Sequence, residues 1–413
     1  MIIKRDYYLQ QLISSKSNNL IKIVTGIRRS GKSFLLFNLF HNHLIETGIS
    51  EDHIIEIALD DRLNKNLRDP DVILRHIHER IVDDKLYYII LDEVQMIDEF
   101  TDVLNSLLHI RNADVYVTGS NSKFLSKDVV TEFRGRGDEI HLFPLSFAEL
   151  YNSIGGDKFE LWKSYYTYGG LPGILELDSE KKKAAYLRSL HETVYLKDII
   201  ERNNLKNSEE FMELMRVMAS CIGSPCNPSK LENTFKSVKN ETLDRKTISK
   251  YLSYMEDAFL IEKSMRYDIK GRKYIGTLSK YYFQDIGLRN ALLNFRQVEE
   301  NHIMENVIYN ELRLRGFCVD VGMVEARTAK ERKQLEVDFV ANMADRRYYI
   351  QSAFAMPDDD KREQECASLK KIDDSFKKII IMRDDIKPYH DNNGFYIVGL
   401  MDFLLKPDLI EQL

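Results

Sequence analysis

The residues with the clearest chemistry lie in the run Gly26-Ile-Arg-Arg-Ser-Gly-Lys-Ser33. Its pattern, G-x-x-x-x-G-K-[ST], is that of a phosphate-binding loop. Glycines let the backbone curl so that successive N–H groups face one anion, and a following helix adds its dipole. Lys32 is expected to reach the β- and γ-phosphates of a nucleoside triphosphate, and the Ser33 hydroxyl to ligate Mg²⁺. The expected nucleotide cradle is Gly26, Ile27, Arg28, Arg29, Ser30, Gly31, Lys32, Ser33 and Phe34. A second chemical pair, Asp92-Glu93, ends the apolar run Tyr87–Leu91. An aspartate at the C-terminal end of a buried strand faces the crevice where a phosphate loop opens, so Asp92 is expected to hold Mg²⁺ and Glu93 to activate the attacking water. Ser120 and Asn121 follow another short strand and are expected either to face the γ-phosphate or to cap a turn. Arg134 and Arg136, in Phe133-Arg-Gly-Arg-Gly137, are expected to reach a phosphate of the same subunit or of a neighbour, or to form a solvated basic loop.

These groups need a scaffold that turns several strand ends toward one point. Leu20–Thr25 reads as a short buried strand, and the residues from Lys32 to Gly48 carry apolar side chains at helical spacing. A strand over Glu51–Leu59, a helix over Pro70–Val82, a strand over Tyr87–Leu91, a helix over Phe100–Ile110 and strands at Val115–Val117 and Ile140–Phe143 follow. Strands alternating with helices predict a parallel α/β sheet between helical layers. Residues 151–205 are rich in helix formers and predict a helical lid, broken at Gly169-Gly170 and Pro172-Gly173. Three further helices, the last over Arg245–Phe259, precede a hairpin of Leu260–Tyr267 and Arg272–Phe283, a winged-helix pattern. Arg266, Lys270, Arg272, Lys273 and Lys280 give its tip a basic reading, which fits either DNA contact or a packing module with a solvated tip.

Four motifs make a resemblance specific: Thr25–Ser33, Leu91-Asp-Glu-Val-Gln95, Thr118-Gly-Ser-Asn-Ser122 and Phe143-Pro-Leu-Ser-Phe-Ala-Glu149. With Tyr168-Gly-Gly-Leu-Pro-Gly173 and Lys280–Arg289, they resemble prokaryotic AAA+-type ATPases that carry a winged helix and a C-terminal nuclease-like domain. The resemblance implies ATP and Mg²⁺ as cofactors, Lys32 and Ser33 on phosphate and metal, Asp92 and Glu93 as the metal and water carboxylates, and Ser120 or Asn121 as sensor. It also implies intersubunit contacts at the nucleotide and hence a homo-oligomer. The expected organisation is a P-loop core over 1–150, a helical lid over 151–205, a winged helix over 206–287 and a restriction-endonuclease-like domain over 288–413.

In that last segment, Glu305 and Asp338 fit the acids of a nuclease metal site, but its [ED]-x-K position reads Gln351-Ser-Ala353. Glutamine is a poorer metal ligand than a carboxylate and alanine cannot activate water, so DNA cleavage is expected to be lost. The chain's charge of −6 across 413 residues leaves any nucleic-acid contact to a local basic patch. Cys221 and Cys226 lack a second Cys or His pair, which argues against zinc. The charged start and the lack of an ~18-residue apolar run predict no secretory signal, no membrane span and a cytoplasmic location. Together these readings predict an ATP-hydrolysing switch or motor that engages DNA or a protein partner. A non-hydrolysing nucleotide-bound DNA-binding regulator and an ATP-gated nuclease are the alternatives.

Overall fold

The structure, a computed structural model, describes residues 3–119, 135–239, 243–327 and 332–412. The chain divides into two compact units, one of residues 1–144 with 257–259 and one of residues 145–256 with 260–413.

The first unit is the expected α/β sheet. Helix α1 (Asp6–Ser14) leads into β1 (Ile21–Thr25). Lys32–Phe34, a π-helical stretch at Leu35–Phe40 and His41–Glu46 then form helix α2. There follow β2 (Ile54–Ala58), α3 (Pro70–Arg80), β3 (Tyr87–Asp92), α4 (Phe100–Leu107), β4 (Ala113–Thr118) and β5 (Gly137–His141). All pairings are parallel, in the order β2-β3-β4-β1-β5. The continuous apolar run of β3 is buried along its whole length, as a strand covered on both faces must be. Ile55, Ile57, Ile89, Leu91, Val115 and Val117 face one core, while Val24, Ile54, Tyr88, Ile90 and Tyr116 face the other with Leu35, Leu36 and Phe40. Strand β5 begins three residues before the expected Ile140, because its polar start, Gly137-Asp-Glu, pairs with β1 at the sheet edge.

The second unit opens with helices α5 (Phe147–Ile154), α6 (Lys158–Tyr168), α7 (Glu180–Leu190) and α8 (Lys197–Asn203). Then come α9 (Ser208–Ser220), α10 (Pro228–Thr234) and α11 (Arg245–Asp257). The hairpin β6 (Ile261–Asp268) and β7 (Lys273–Phe283) lies where the wing was expected. It is not the end of a separate module. Arg266–Asp268 pair in parallel with Val321–Met323 of β8 (Cys318–Arg327), a strand the sequence reading did not anticipate. Strands β9 (Arg332–Met343), β10 (Arg346–Ala353), β11 (Lys377–Met382), β12 (Tyr389–His390) and β13 (Tyr396–Gly399) complete one mixed eight-stranded sheet, ordered β12-β13-β11-β10-β9-β8-β6-β7. The boundary expected at 287/288 therefore falls inside one packed body. Helix α12 (Ile286–Leu292) and the long α13 (Glu300–Leu314) pack there, with Ile303, Val307, Ile308 and Leu312 in the same core as Phe339 and Ile350.

The two motifs shared by this half lock onto each other. Asp285 caps α12 by accepting the Leu288 N–H, and it also accepts the Gly170 N–H at 2.8 Å. Asn290 donates to the carbonyls of Tyr166 and Thr167. A Cβ on Gly287 would lie 2.0 Å from the Tyr168 carbonyl oxygen, so only glycine allows this approach. These residues hold backbone to backbone.

Candidate nucleotide-binding site

The phosphate loop leaves the C-terminal end of β1 and closes onto α2. Gly26 has φ 136°, and a Cβ there would sit 2.2 Å from the Leu142 carbonyl oxygen, so the loop cannot leave the sheet at this angle with any other residue. Gly31 caps α2 in a left-handed conformation (φ 98°). Arg29 shares that region at φ 65°, a local strain characteristic of ligand-binding loops. The first N–H groups of a helix such as α2 have no acceptor within it, the arrangement that suits an anion.

Lys32 is buried, and its ammonium donates to the Gly26 and Ile27 carbonyls at 3.0 and 3.1 Å. Burial pulls its pKa down to about 8, against the opposing pull of Glu93 and Asp92 and with help from Arg28. Ser33, at the start of α2, is near enough to Asp92, at the end of β3, to favour its charged form. Burial raises the Asp92 pKa, partly offset by the hydroxyls of Thr118 and Ser33. Ile27 and Ser30 are buried, Arg28 is half-buried, and Arg29, Ser33 and Phe34 are exposed.

Strand β4 lies between β1 and β3, and its last residue organises both acids. The Thr118 hydroxyl donates to Asp92 Oδ1 and accepts the Glu93 N–H at 2.9 Å. Glu93 adopts φ 53°, turning its side chain out of the strand direction, and Gln95 Nε2 donates to its Oε2. Sequence reasoning passed over Thr118, although a hydroxyl residue ending the central strand was the available signal. It also missed Arg5. This buried arginine donates to the Ser30 carbonyl at 3.3 Å and to the Phe143 carbonyl at 2.7 Å, while stacking 4.6 Å over the Tyr8 ring. The Tyr8 hydroxyl accepts the Phe143 N–H. Helix α1 thereby ties the phosphate loop to the chain beyond β5.

Ser120, Asn121 and Arg134 lie outside the described residues. Arg136 is exposed and its carbonyl accepts the Ile21 N–H, at the start of β1. The loop opens from the other end, where Thr25 pairs with His141. Four strand residues separate the two ends, about 13 Å at the usual rise. The Arg136 backbone thus lies at the end of β1 opposite the phosphate loop.

The donor set fits a nucleoside triphosphate with a divalent ion. One ammonium rests on neutral carbonyls at the start of a helix, and the Asp92 carboxylate, held by Thr118, is near enough to act on it.

Residues 18–151 match a family described as an AAA domain, and residues 159–299 match a domain of unknown function, DUF8612. The chain is 33% identical to an uncharacterized protein of Haemophilus influenzae, over 98% of this chain and 99% of that one. It is 29% identical to the uncharacterized protein MJ1544 of Methanocaldococcus jannaschii, over 93% of this chain and 86% of that one. Among solved structures, the Aeropyrum pernix Orc1 protein in complex with DNA aligns over 71% of this chain and 92% of its own, at 13% identity and a TM-score of 0.30, too loose to carry an argument.

Proposed function

This chain belongs to the family of the Haemophilus influenzae protein, and we propose that its AAA domain is a Mg²⁺-dependent ATPase whose nucleotide state governs engagement of a DNA or protein partner. The observation that carries this reading is the buried Lys32 ammonium on the Gly26 and Ile27 carbonyls, close enough to feel Asp92, whose carboxylate the Thr118 hydroxyl holds. A buried cation beside a positioned carboxylate suits a phosphate with its divalent ion.

In this reading the loop N–H groups and Lys32 bind the β- and γ-phosphates, Lys32 exchanging its two carbonyls for phosphate oxygens. Ser33 and Asp92 would hold Mg²⁺, which supplies charge neutralisation on the phosphate oxygens. Glu93 orients the attacking water and accepts its proton at a carboxylate oxygen, while Thr118 fixes the backbone from which both acids project. Ser120 or Asn121 takes the sensor role. Arg134 and Arg136 act across a subunit boundary, which makes the working form a homo-oligomer. The exposed face of α11 carries Arg245, Lys246, Ser249 and Lys250, which supports contact with DNA phosphates through the second unit.

Steady-state phosphate release tests the site. Lys32→Ala is expected to lose nucleotide binding, and Glu93→Gln to bind ATP but turn over at least ~100-fold slower. Release by purified Lys32→Ala at the wild-type rate would end this assignment. Salt-dependent DNA binding that is unchanged when Lys246 and Lys250 become alanine would remove α11 from the partner reading.

A further inference from the structure

The nuclease-like fold implies a metal between Glu305 and Asp338, and the structure shows what stands there instead. Lys280 comes from β7, which is not a neighbour of β9 in the sheet. Its ammonium nonetheless lies 2.8 Å from Glu305 Oε1 on α13, 2.8 Å from Glu336 Oε1 and 3.6 Å from Asp338 Oδ1, both on β9. Lys280 was expected on an exposed basic tip; it is 2% exposed.

Further hydrogen bonds hold two of the acids. Asp338 Oδ2 accepts the Ser352 N–H at 2.9 Å, and Glu305 Oε1 accepts the Tyr282 hydroxyl at 2.8 Å. Gln351 turns its carbonyl oxygen to the Asp338 N–H. Gly223, at φ 70°, packs so closely that a Cβ would lie 3.1 Å from Glu305 Oε2. Burial favours the neutral form of Lys280, but Glu305, Asp338 and Glu336 outweigh it and hold the pKa above the ordinary lysine value. With the Lys280 ammonium between them, the acids do not fit a bound divalent ion: among the described residues no group of three His, Cys, Asp or Glu side chains is placed to hold one. An open cavity of about 520 Å³ has Glu305 and Ser352 on its wall; Lys280, Glu336 and Asp338 do not line it.

We propose that Lys280 is the built-in cation of this carboxylate site. Its ammonium takes the position a divalent metal would need, so the nuclease-like sheet works without metal. The three carboxylates become a metal site only when that charge is removed. The loss of cleavage expected from Gln351 and Ala353 thus has a second, independent cause on a different strand. A carboxylate cluster binds a hard divalent cation through its charge, and a lysine of fixed position cancels that charge without vacating the space.

The test counts Mn²⁺ ions bound by the full-length protein without nucleotide, from the electron paramagnetic resonance of the free ion, with folding followed by circular dichroism in the same buffer. Wild type and Asp338→Asn are expected to bind equal numbers. Lys280→Met is expected to bind about one more ion per chain, and Lys280→Met/Asp338→Asn to lose it again. A wild-type protein that loses an ion on Asp338→Asn overturns the proposal, and so does a folded Lys280→Met that gains none. The Asp338→Asn comparison in the wild-type background decides the matter even if Lys280→Met does not fold.

Discussion

Among the described residues three lysines are buried; Lys22 is paired with Asp114, and the other two, Lys32 in the first unit and Lys280 in the second, have opposite surroundings. Lys32 is 5% exposed and, among the described residues, its ammonium donates to neutral carbonyl oxygens, and burial draws its pKa down to about 8. Lys280 is 2% exposed and touches carboxylates, which push its pKa up. Burial is nearly equal, so the difference is counter-charge. A lysine meant to receive a phosphate must be left short of it, since a permanent carboxylate partner would compete with the ligand. A lysine that only holds a fold together has no such constraint. The less comfortable cation marks the working site.

The sharpest way to break this comparison is to remove each charge and read stability. Lys280→Met leaves three carboxylates facing one another, and breaking a buried ion pair by deleting one partner costs about 3–5 kcal/mol. Chemical denaturation should show a loss of that size; a loss within about 0.5 kcal/mol, the usual range for a surface change, would mean the carboxylates do not depend on Lys280.

Lys32→Met should move the other way. The folded protein binds the Lys32 proton more weakly than the unfolded chain does, so the charge works against folding below about pH 8. Between there and the ordinary lysine value of 10.5, wild-type stability gains as the proton leaves. At pH 7 the methionine variant is expected to be more stable by roughly 1–3 kcal/mol while failing to bind nucleotide, and its stability should lack the wild-type rise from pH 8 to 10. A destabilised Lys32→Met would show that the ammonium is satisfied in the empty loop.

The two halves also differ in how much of them could be read from sequence. The phosphate loop is a contiguous pattern, and its strand and helix follow from local periodicity. Asp92 and Glu93 are legible because a buried apolar run must end somewhere and its polar ends face the crevice. The carboxylate site is assembled from β7, α13 and β9, so no local pattern announces it. A signal existed: Lys280 is two residues from Tyr282, and residues so spaced share one face of a strand. Tyr282 is buried, so Lys280 must point inward with it. Strand β8 went unanticipated, and without it the hairpin looked like a free wing instead of the edge of an eight-stranded sheet. Arg5 acts over 25 and 138 residues, contacts that only the folded chain supplies.

Thr118 offers a finer test within the nucleotide half. Its hydroxyl holds the Asp92 carboxylate and the Glu93 backbone N–H. Thr118→Val keeps the shape and removes both hydrogen bonds. Groups that orient metal ligands are commonly worth 10- to 100-fold, so turnover is expected to fall by about tenfold or more, with a higher Mg²⁺ requirement. A change in protein stability alone, with unaltered Mg²⁺ dependence, would make Thr118 a packing residue.

The smallest expected effect belongs to Arg5. Its guanidinium spans the Ser30 and Phe143 carbonyls, so it sets the distance between the phosphate loop and the chain beyond β5 without approaching the phosphates itself. Arg5→Met keeps much of the apolar stem against Tyr8 and deletes the charge-assisted bonds, each worth about 1.5–3 kcal/mol in stability. Most of that loss should appear as a lower Tm. The part that reaches the ligand comes through a loosened loop, and small misplacements of binding groups are felt in affinity. Nucleotide Kd is therefore expected to rise by roughly 3- to 10-fold while the rate at saturating ATP stays within about twofold. Arg5→Lys, which can reach only one carbonyl at a time, should fall between. If Tm drops but Kd does not move, α1 braces the sheet and the phosphate loop keeps its own shape, as the close approach of Gly26 to Leu142 would then have to ensure alone.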